Sequence, residues 1–383
     1  MNRNLLLNIL RREGAVSRTQ LTEISDLSVG AVSQIINELI DEKWVFESGE
    51  GDYTGGRRQT LLRLNPDAGY ALGLKVMETR VVCAVTSFEA RTLYYNDYPL
   101  GSDYTPQALV TALARIIEET IAASGLARHL FFGIGIGLAG FINSHEGIVH
   151  YSPYLGLRDV PLARMLQDAL GMPVAIENDV NTLTLTEHLF GAGRHHRNFI
   201  VVTVGRGVGL GMVLHGQLYQ GAAGGAGELG HTISDLEKAG RVPSESGTLE
   251  ALSADPAIIA SLARSGQPLY ANLAEVVRAA EDGNAEAQAA LRRSGEYLGV
   301  ALAGMVNILN PSLIIVSGEG VNGGPYRMQP MLDALRRYSF NGLLKHVEIV
   351  IEPADDRTWA RGAAALVLNQ VFASPLVTRQ IAN

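Results

Sequence analysis

The chain has 383 residues, 47% hydrophobic and 18% charged, which calls for more than one buried core and excludes a disordered polymer. A formal net charge of -8 excludes nucleic-acid binding by bulk basicity, so any DNA contact depends on where individual charges lie. The single cysteine, Cys83, excludes an internal disulfide and suits a reducing compartment.

No apolar stretch approaches the roughly 18 residues of a membrane span, and the apolar run in MNRNLLLNILRREG is too short for a secretory signal. A cytoplasmic protein without membrane contact is expected. Leu6, Leu7, Ile9 and Leu10 then mark a first helix that stops at Gly14. Ser17 is a candidate N-cap of a second helix, with Leu21 and Ile24 inward. After a tight turn at Asp26-Leu27, Ser28 can cap a third helix running to about Lys43, with Val32, Ile35, Ile36, Leu39 and Ile40 buried. This is helix-turn-helix spacing.

The opposite face of the third helix carries Ser33, Gln34 and Asn37, short polar side chains suited to base edges or phosphates in a major groove. The runs WVFESGEG and RRQTLLRLN, joined by DYTGG, predict a wing from which Arg57 and Arg58 reach a phosphate or a narrow minor groove. With Ser17, Arg18 and Ser28 at the helix starts, these residues form the candidate DNA interface. Residues 1–63 hold eight Lys/Arg against nine Asp/Glu, so the reading head is not basic overall. A three-helix protein-interaction module with solvated arginines is the alternative reading.

Asn65-Pro66 breaks the pattern, and from Gly69 the chain alternates strands and helices. A strand hairpin (70–93) precedes a helix opened by Thr105-Pro106, then FFGIGIGLAG predicts a buried strand and glycine turn. PVAIEND leads into a helix through His188, NFIVVTVGRGVGLGMVLHG begins a second half, and SLIIVSGEG supplies a late strand. Two α/β lobes with a cleft between them are expected. Neither GIGIGLAG nor GRGVGLG is followed by the βαβ unit and acidic residue of a dinucleotide fingerprint, which excludes a Rossmann site. The more specific signal is polar: Asn178 and Asp179 in IEND, Glu228 and His231 in GELGH, and Glu250. Carboxylates, an amide and an imidazole suit a polyhydroxylated ligand, whose hydroxyls both donate and accept, and Asp179 could take a proton from an attacking hydroxyl. Metal binding and helix capping remain alternatives for each residue.

From about Gly69 to Leu366 the chain resembles the ROK (repressor, open reading frame, kinase) family. Its N-terminal helices make it similar to the repressor branch that includes the xylose and N-acetylglucosamine repressors. The resemblance rests on LSVGAVSQIINELI with TGGRR, GIGLAGFI, SPYLGLRDVPL, IENDVN, TVGRGVGLG and GELGH with Glu250, in the family's order. It implies an α/β fold: a winged helix-turn-helix (1–65), then a two-lobed sugar-kinase-like domain of the actin/hexokinase, ribonuclease-H-like kind. The lobes are expected at 66–190 and 191–383, with the last helix able to pack back on the first. It also implies sugar contacts at Ala139, Gly140, Asn178, Asp179, Glu228, His231 and Glu250, with Asp179 at the base position of the kinases.

Departures from the family pattern shape the expected function. Family cysteines that hold zinc are replaced by Arg241, Pro243 and Thr248, none of which supplies a thiolate, so no metal is expected. The DxGGT phosphate turn of kinase members is here Lys75, Val76, Met77, Glu78 and Thr79, so neither a cofactor nor a catalytic residue is expected. Arg206 interrupts the second glycine loop, and Tyr154 stands where asparagine is common. The expected protein is a repressor of carbohydrate-utilisation genes that binds operator DNA as a homodimer or dimer of dimers. A sugar or sugar-phosphate effector in the interlobe cleft would switch it. The rival expectations are an ATP-dependent sugar kinase that kept a DNA-binding domain, and a regulator titrated by a protein partner.

Overall fold

The computed structural model describes residues 2–50, 59–239 and 246–373. Arg57, Arg58, Arg241 and Pro243 lie outside the described residues. The chain divides into two compact units, 1–195 with 356–383, and 196–355. The chain therefore crosses between units at 195/196, and its last helix belongs with the first unit.

The first unit opens with α1 (Asn2–Glu13), β1 (Val16–Ser17), α2 (Arg18–Ser25) and α3 (Val29–Asp41), followed by β2 (Val45–Glu50) and β3 (Thr60–Leu64). Ser17 and Gln20 form a reciprocal capping box at the start of α2, and Asp26 ends that helix in the left-handed region (φ 58°), giving the sharp turn into α3. The strands pair antiparallel in the order β1-β3-β2. Ile24 was expected inward, but it is exposed, because Leu21 and Ser25 occupy the buried stripe of this two-turn helix.

The same unit continues with β4 (Tyr70–Val76), β5 (Arg80–Ser87), β6 (Thr92–Pro99), α4 (Pro106–Ser124) and β7 (Phe131–Leu138). The small strands β8 (Phe141–Asn143), β9 (Ile148–Ser152) and β10 (Leu157–Val160) follow, then α5 (Leu162–Leu170), β11 (Val174–Asn178) and α6 (Asp179–Phe190). The main sheet has the order β11-β7-β4-β5-β6, with β4, β7 and β11 parallel. Leu72, Leu74 and Val76 pack with Cys83 and Val85 against Leu113, Ile116 and Ile117 of α4.

The other face receives α12 (Asp356–Ala373), the last described helix. A Cβ at Gly73 would lie 2.0 Å from the Ala360 carbonyl oxygen and 2.3 Å from the Ala364 nitrogen, and one at Gly135 would lie 1.8 Å from the Ala363 carbonyl oxygen. The helix backbone therefore rests directly on the strands, and these strand glycines are contact surfaces. Further along, Phe372 of α12 stacks on Phe88 (4.9 Å), which meets Trp44 of the winged head (5.2 Å) and Phe132 (5.5 Å). Asn65-Pro66 is thus bridged by a shared aromatic core, and the head is packed into the first unit.

The second unit contains β12 (Phe199–Val204), β13 (Val208–Leu214), β14 (Gln217–Leu218), α7 (Leu249–Ser253), α8 (Asp255–Ser261) and α9 (Leu273–Glu281). It ends with α10 (Ala285–Leu309), β15 (Leu313–Ser317), α11 (Pro325–Tyr338) and β16 (Glu348–Ile351). Its sheet, β14-β13-β12-β15-β16, repeats the first unit's order, with an antiparallel hairpin set beside parallel strands. The β4–β5 and β12–β13 turns are therefore topological equivalents. Fully buried Arg327 binds Asp255 (2.7 Å) and the carbonyls of Gly320 (2.9 Å) and Ser253 (2.6 Å), offsetting the desolvation that lowers its pKa. Among the described residues no helix is long and apolar enough to cross a membrane.

Burial pushes the Cys83 thiol up to about 12. Alkylation by iodoacetamide at pH 8 is therefore expected to be negligible in the native protein and to appear only with denaturant unfolding. Rapid labelling without denaturant would contradict this packing.

Candidate sugar-binding and DNA-binding residues

The sugar-site candidates of the first unit sit at the carboxyl ends of parallel strands, the edge at which open α/β sheets bind ligands. Asn178 ends β11 and caps α6: its carbonyl oxygen accepts from the Val180 nitrogen (2.9 Å) and its amide donates to the Gly140 carbonyl (3.0 Å). The Ala139 carbonyl accepts from Ser152 (2.8 Å). Gly140, at φ 138°, cannot carry a side chain, since a Cβ would lie 2.2 Å from the Tyr151 carbonyl oxygen. These bonds fix the turn after β7 against the start of α6.

Asp179 is the first residue of α6, where a carboxylate is favoured by the helix dipole, and accepts from the Val180 nitrogen (3.0 Å). Its other oxygen is in an ion pair with Lys75. Alternation along β4 sends Ala71, Gly73 and Lys75 to the α12 face, where the Lys75 ammonium lies 4.7 Å from the Trp359 ring centre. Lys75 and Asp179 are only 11% and 14% exposed. Sequence reading identified Lys75 as a lost phosphate-loop acid and missed it as the partner of Asp179; the signal was a cation alternating in phase with Gly73. Buried Glu177, also missed, accepts from the Asn178 nitrogen (2.7 Å) and Asn181 (3.1 Å).

In the second unit Glu250, in the first turn of α7, accepts from the Val208 nitrogen (3.0 Å). A Cβ at Gly207 or Gly230 would lie 2.7 or 3.2 Å from that same carboxylate oxygen, so Glu250 ties the GRGVG and GELGH turns together. Glu228 and His231 are about half exposed, with His231 Nε2 3.5 Å from a Glu228 oxygen. Thr248, which the family resemblance set at a cysteine position, caps α7 by accepting from the Ala251 nitrogen (3.2 Å). Together with Arg241 and Pro243 it makes a donor set that does not fit zinc.

In the winged head, Ser28, Gln34 and Asn37 are exposed and Ser33 is half-buried. Gln34 donates to Glu38 (3.0 Å), and Arg18 reaches Asn37 (3.3 Å) and Glu47 (3.2 Å). Ser17 was expected at the DNA interface, but it is buried and its hydroxyl is used in the capping box, so it builds α2 instead. Val29, the first residue of α3, is 69% exposed although its spacing of three and seven residues places it in phase with buried Val32 and Ile36, so its exposure comes from its position at the helix end. An exposed apolar side chain there is suited to a thymine methyl, and periodicity alone hides it because the spacing marks Val29 as part of the buried stripe.

Arg11 joins the head to α6. Its guanidinium donates to the Leu189 carbonyl at the C-terminal end of α6 and to Asn8 (3.2 Å), and lies 5.4 and 5.8 Å from the rings of Phe372 and Phe190. Burial, with Arg12 and Arg194 nearby, lowers its pKa to about 10, leaving it cationic at neutral pH beside the negative end of the helix dipole.

A winged helix-turn-helix DNA-binding family matches residues 2–45, and the ROK family matches residues 71–370. The xylose repressor of Caldicellulosiruptor bescii is 28% identical over 389 positions, covering 98% of this chain and 97% of its own length. Among solved structures, a ROK family transcriptional regulator, a homologue of the E. coli MLC protein, matches the fold with a TM-score of 0.86 at 24% identity, covering 100% of this chain and 98% of its own. The ROK hexokinase of Thermus thermophilus gives a TM-score of 0.67 at 26% identity, covering 79% of this chain and 99% of its own. The fold is thus common to regulators and kinases, and the chain, matched from β4 to α12 and preceded by a winged helix-turn-helix, belongs to the ROK family.

Proposed function

We propose that the chain is a sugar-responsive transcriptional repressor of carbohydrate-utilisation genes that binds operator DNA as a homodimer and does not phosphorylate its ligand. The observation that carries this reading is the position of α6. Its first residue is Asp179, a sugar-site candidate, and its last turn is held by Arg11 of the DNA-reading head. Twelve residues of helix span about 18 Å, so one rigid element joins the two.

The helix is built to act as a unit. Leu183, Leu185 and Leu189 are buried, as are Thr182, Thr184 and Thr186, whose hydroxyls donate to carbonyls of their own helix at 2.6–3.0 Å. A Cβ at Gly362 of α12 would lie 3.2 Å from Thr182, so α6 and α12 are in close contact. A ligand that changes the surroundings of Asp179 acts on the N-terminus of this pair, and Arg11 with Phe372 meets its other end. Asn178 and Asp179, with Ala139 and Gly140, are the proposed sugar contacts in this unit. Glu228, His231 and Glu250 are the proposed sugar contacts in the second unit. Ser28, Ser33, Gln34, Asn37 and Arg18, with Arg57 and Arg58 of the wing, are the proposed DNA contacts.

Against the kinase reading stands Lys75, a cation paired with Asp179 at the position where the family resemblance puts the acid of the kinases' phosphate turn. Incubation with ATP, Mg²⁺ and a sugar panel is expected to give no sugar-dependent ADP; efficient turnover would establish the kinase.

Coupling of about 1–3 kcal/mol corresponds to a shift in operator affinity of several-fold to about a hundredfold on sugar addition. Asp179→Ala is expected to abolish that shift while sparing sugar-free operator affinity, measured by fluorescence anisotropy. A full response in this variant would remove Asp179 from the sugar site. Arg11→Met is expected to keep sugar binding and to reduce the shift at least threefold, with the fold checked by thermal melting. An undiminished shift would exclude α6 as the connection.

A further inference from the structure

We infer that Lys75 is a specificity-determining ligand contact and that its pairing with Asp179 selects a neutral, unphosphorylated sugar over the corresponding sugar phosphate. This rests on the sugar-site reading above and goes further by naming the ligand's chemical class.

The pair is a two-sided reader of one hydroxyl group. Asp179 accepts hydrogen bonds only, and the Lys75 ammonium donates only, whereas a sugar hydroxyl does both. A free hydroxyl seated between them donates its proton to Asp179 and accepts from Lys75, so each charged group gains a partner of matching polarity. An oxygen esterified to phosphate has no proton to give Asp179, and the terminal phosphate oxygens are acceptors facing a carboxylate.

The surroundings do not favour an additional anion. Lys75 is the partner of Asp179, and buried Glu177 lies two residues before Asp179. A phosphate drawing the ammonium to itself leaves Asp179 desolvated without its cation, the costly way to break such a pair. The lysine also has little freedom to serve both groups. Its side chain is 11% exposed, its ammonium rests over Trp359, and the backbone beneath it is fixed in register with Gly137.

Trp359 provides the readout. The chain has two tryptophans, and Trp44 lies in the aromatic core of the head, so a Trp44→Phe background isolates a fluorophore beside the Lys75 ammonium. The probes are neutral aldopentoses, aldohexoses and N-acetylhexosamines with their terminal monophosphates, titrated by Trp359 fluorescence and calorimetry. At least one neutral sugar is expected to bind at least tenfold tighter than its own phosphate. Lys75→Met is expected to weaken that sugar tenfold or more, with partial rescue by Lys75→Arg. The isosteric Asp179→Asn, whose amide can donate to a phosphate, is expected to narrow the discrimination to less than threefold.

A phosphate binding tighter than its parent sugar overturns the inference and leaves the sugar-switch reading standing. So does wild-type affinity for the neutral sugar in Lys75→Met, or unchanged discrimination in Asp179→Asn. Failure of every probe to bind the wild-type protein overturns both.

Discussion

The seating of α12 on a glycine-paved sheet is the contact on which the first unit depends. Gly73 and Gly135 leave the strand backbones bare, and the helix comes so close that no Cβ fits between. Three consequences follow from this approach. Trp359 is brought over Lys75, Gly362 is set against α6, and Phe372 is delivered to the aromatic core shared with the winged head. A side chain at either glycine would lift the helix from all three at once, because close-packed interiors transmit displacement instead of absorbing it.

The sugar-site candidates illustrate how polar groups are held in a ligand-binding scaffold. Asn178, Asp179 and Glu177 each use part of their capacity on neighbouring backbone, which fixes their positions before any ligand arrives. In the second unit Glu250 does the same for two glycine turns. The repeated sheet order sets the β4–β5 and β12–β13 turns at equivalent places in their units, yet they differ in chemistry. One follows a paired lysine, while the other retains Gly205 and Gly207. A scaffold common to kinases and regulators can thus change role by exchanging a few residues at strand ends.

The junction with the winged head is made of aromatic and cationic side chains. Trp44, Phe88, Phe132 and Phe372 bury large apolar areas, and Arg3 and Arg11 lie over the rings of Trp44 and of Phe190 and Phe372. Truncating one such buried aromatic residue typically costs about 3–5 kcal/mol, so the head is held firmly enough for displacement of α6 or α12 to reach it. Arg11 adds direction to this contact, because its acceptor is the final turn of the helix that Asp179 begins.

Local sequence determined a great deal here. Capping residues and apolar periodicity defined α1, α2 and α3, and Asn178, Asp179, Glu228 and Glu250 stood out as candidates because they are polar residues gathered beside glycine turns. The family resemblance also drew attention to Lys75, Met77 and Glu78 and to Arg241, Pro243 and Thr248, whose side chains are neither a phosphate-turn acid with glycines nor zinc thiolates. Only tertiary structure decided that Lys75 meets Asp179, that Ser17 is buried, that Arg11 holds the end of α6 and that the last helix returns to the first sheet. Each of the three long-range contacts joins segments more than a hundred residues apart. Helical and strand periodicity report which face of an element is buried, whereas the partner that buries it is chosen by packing of the whole unit.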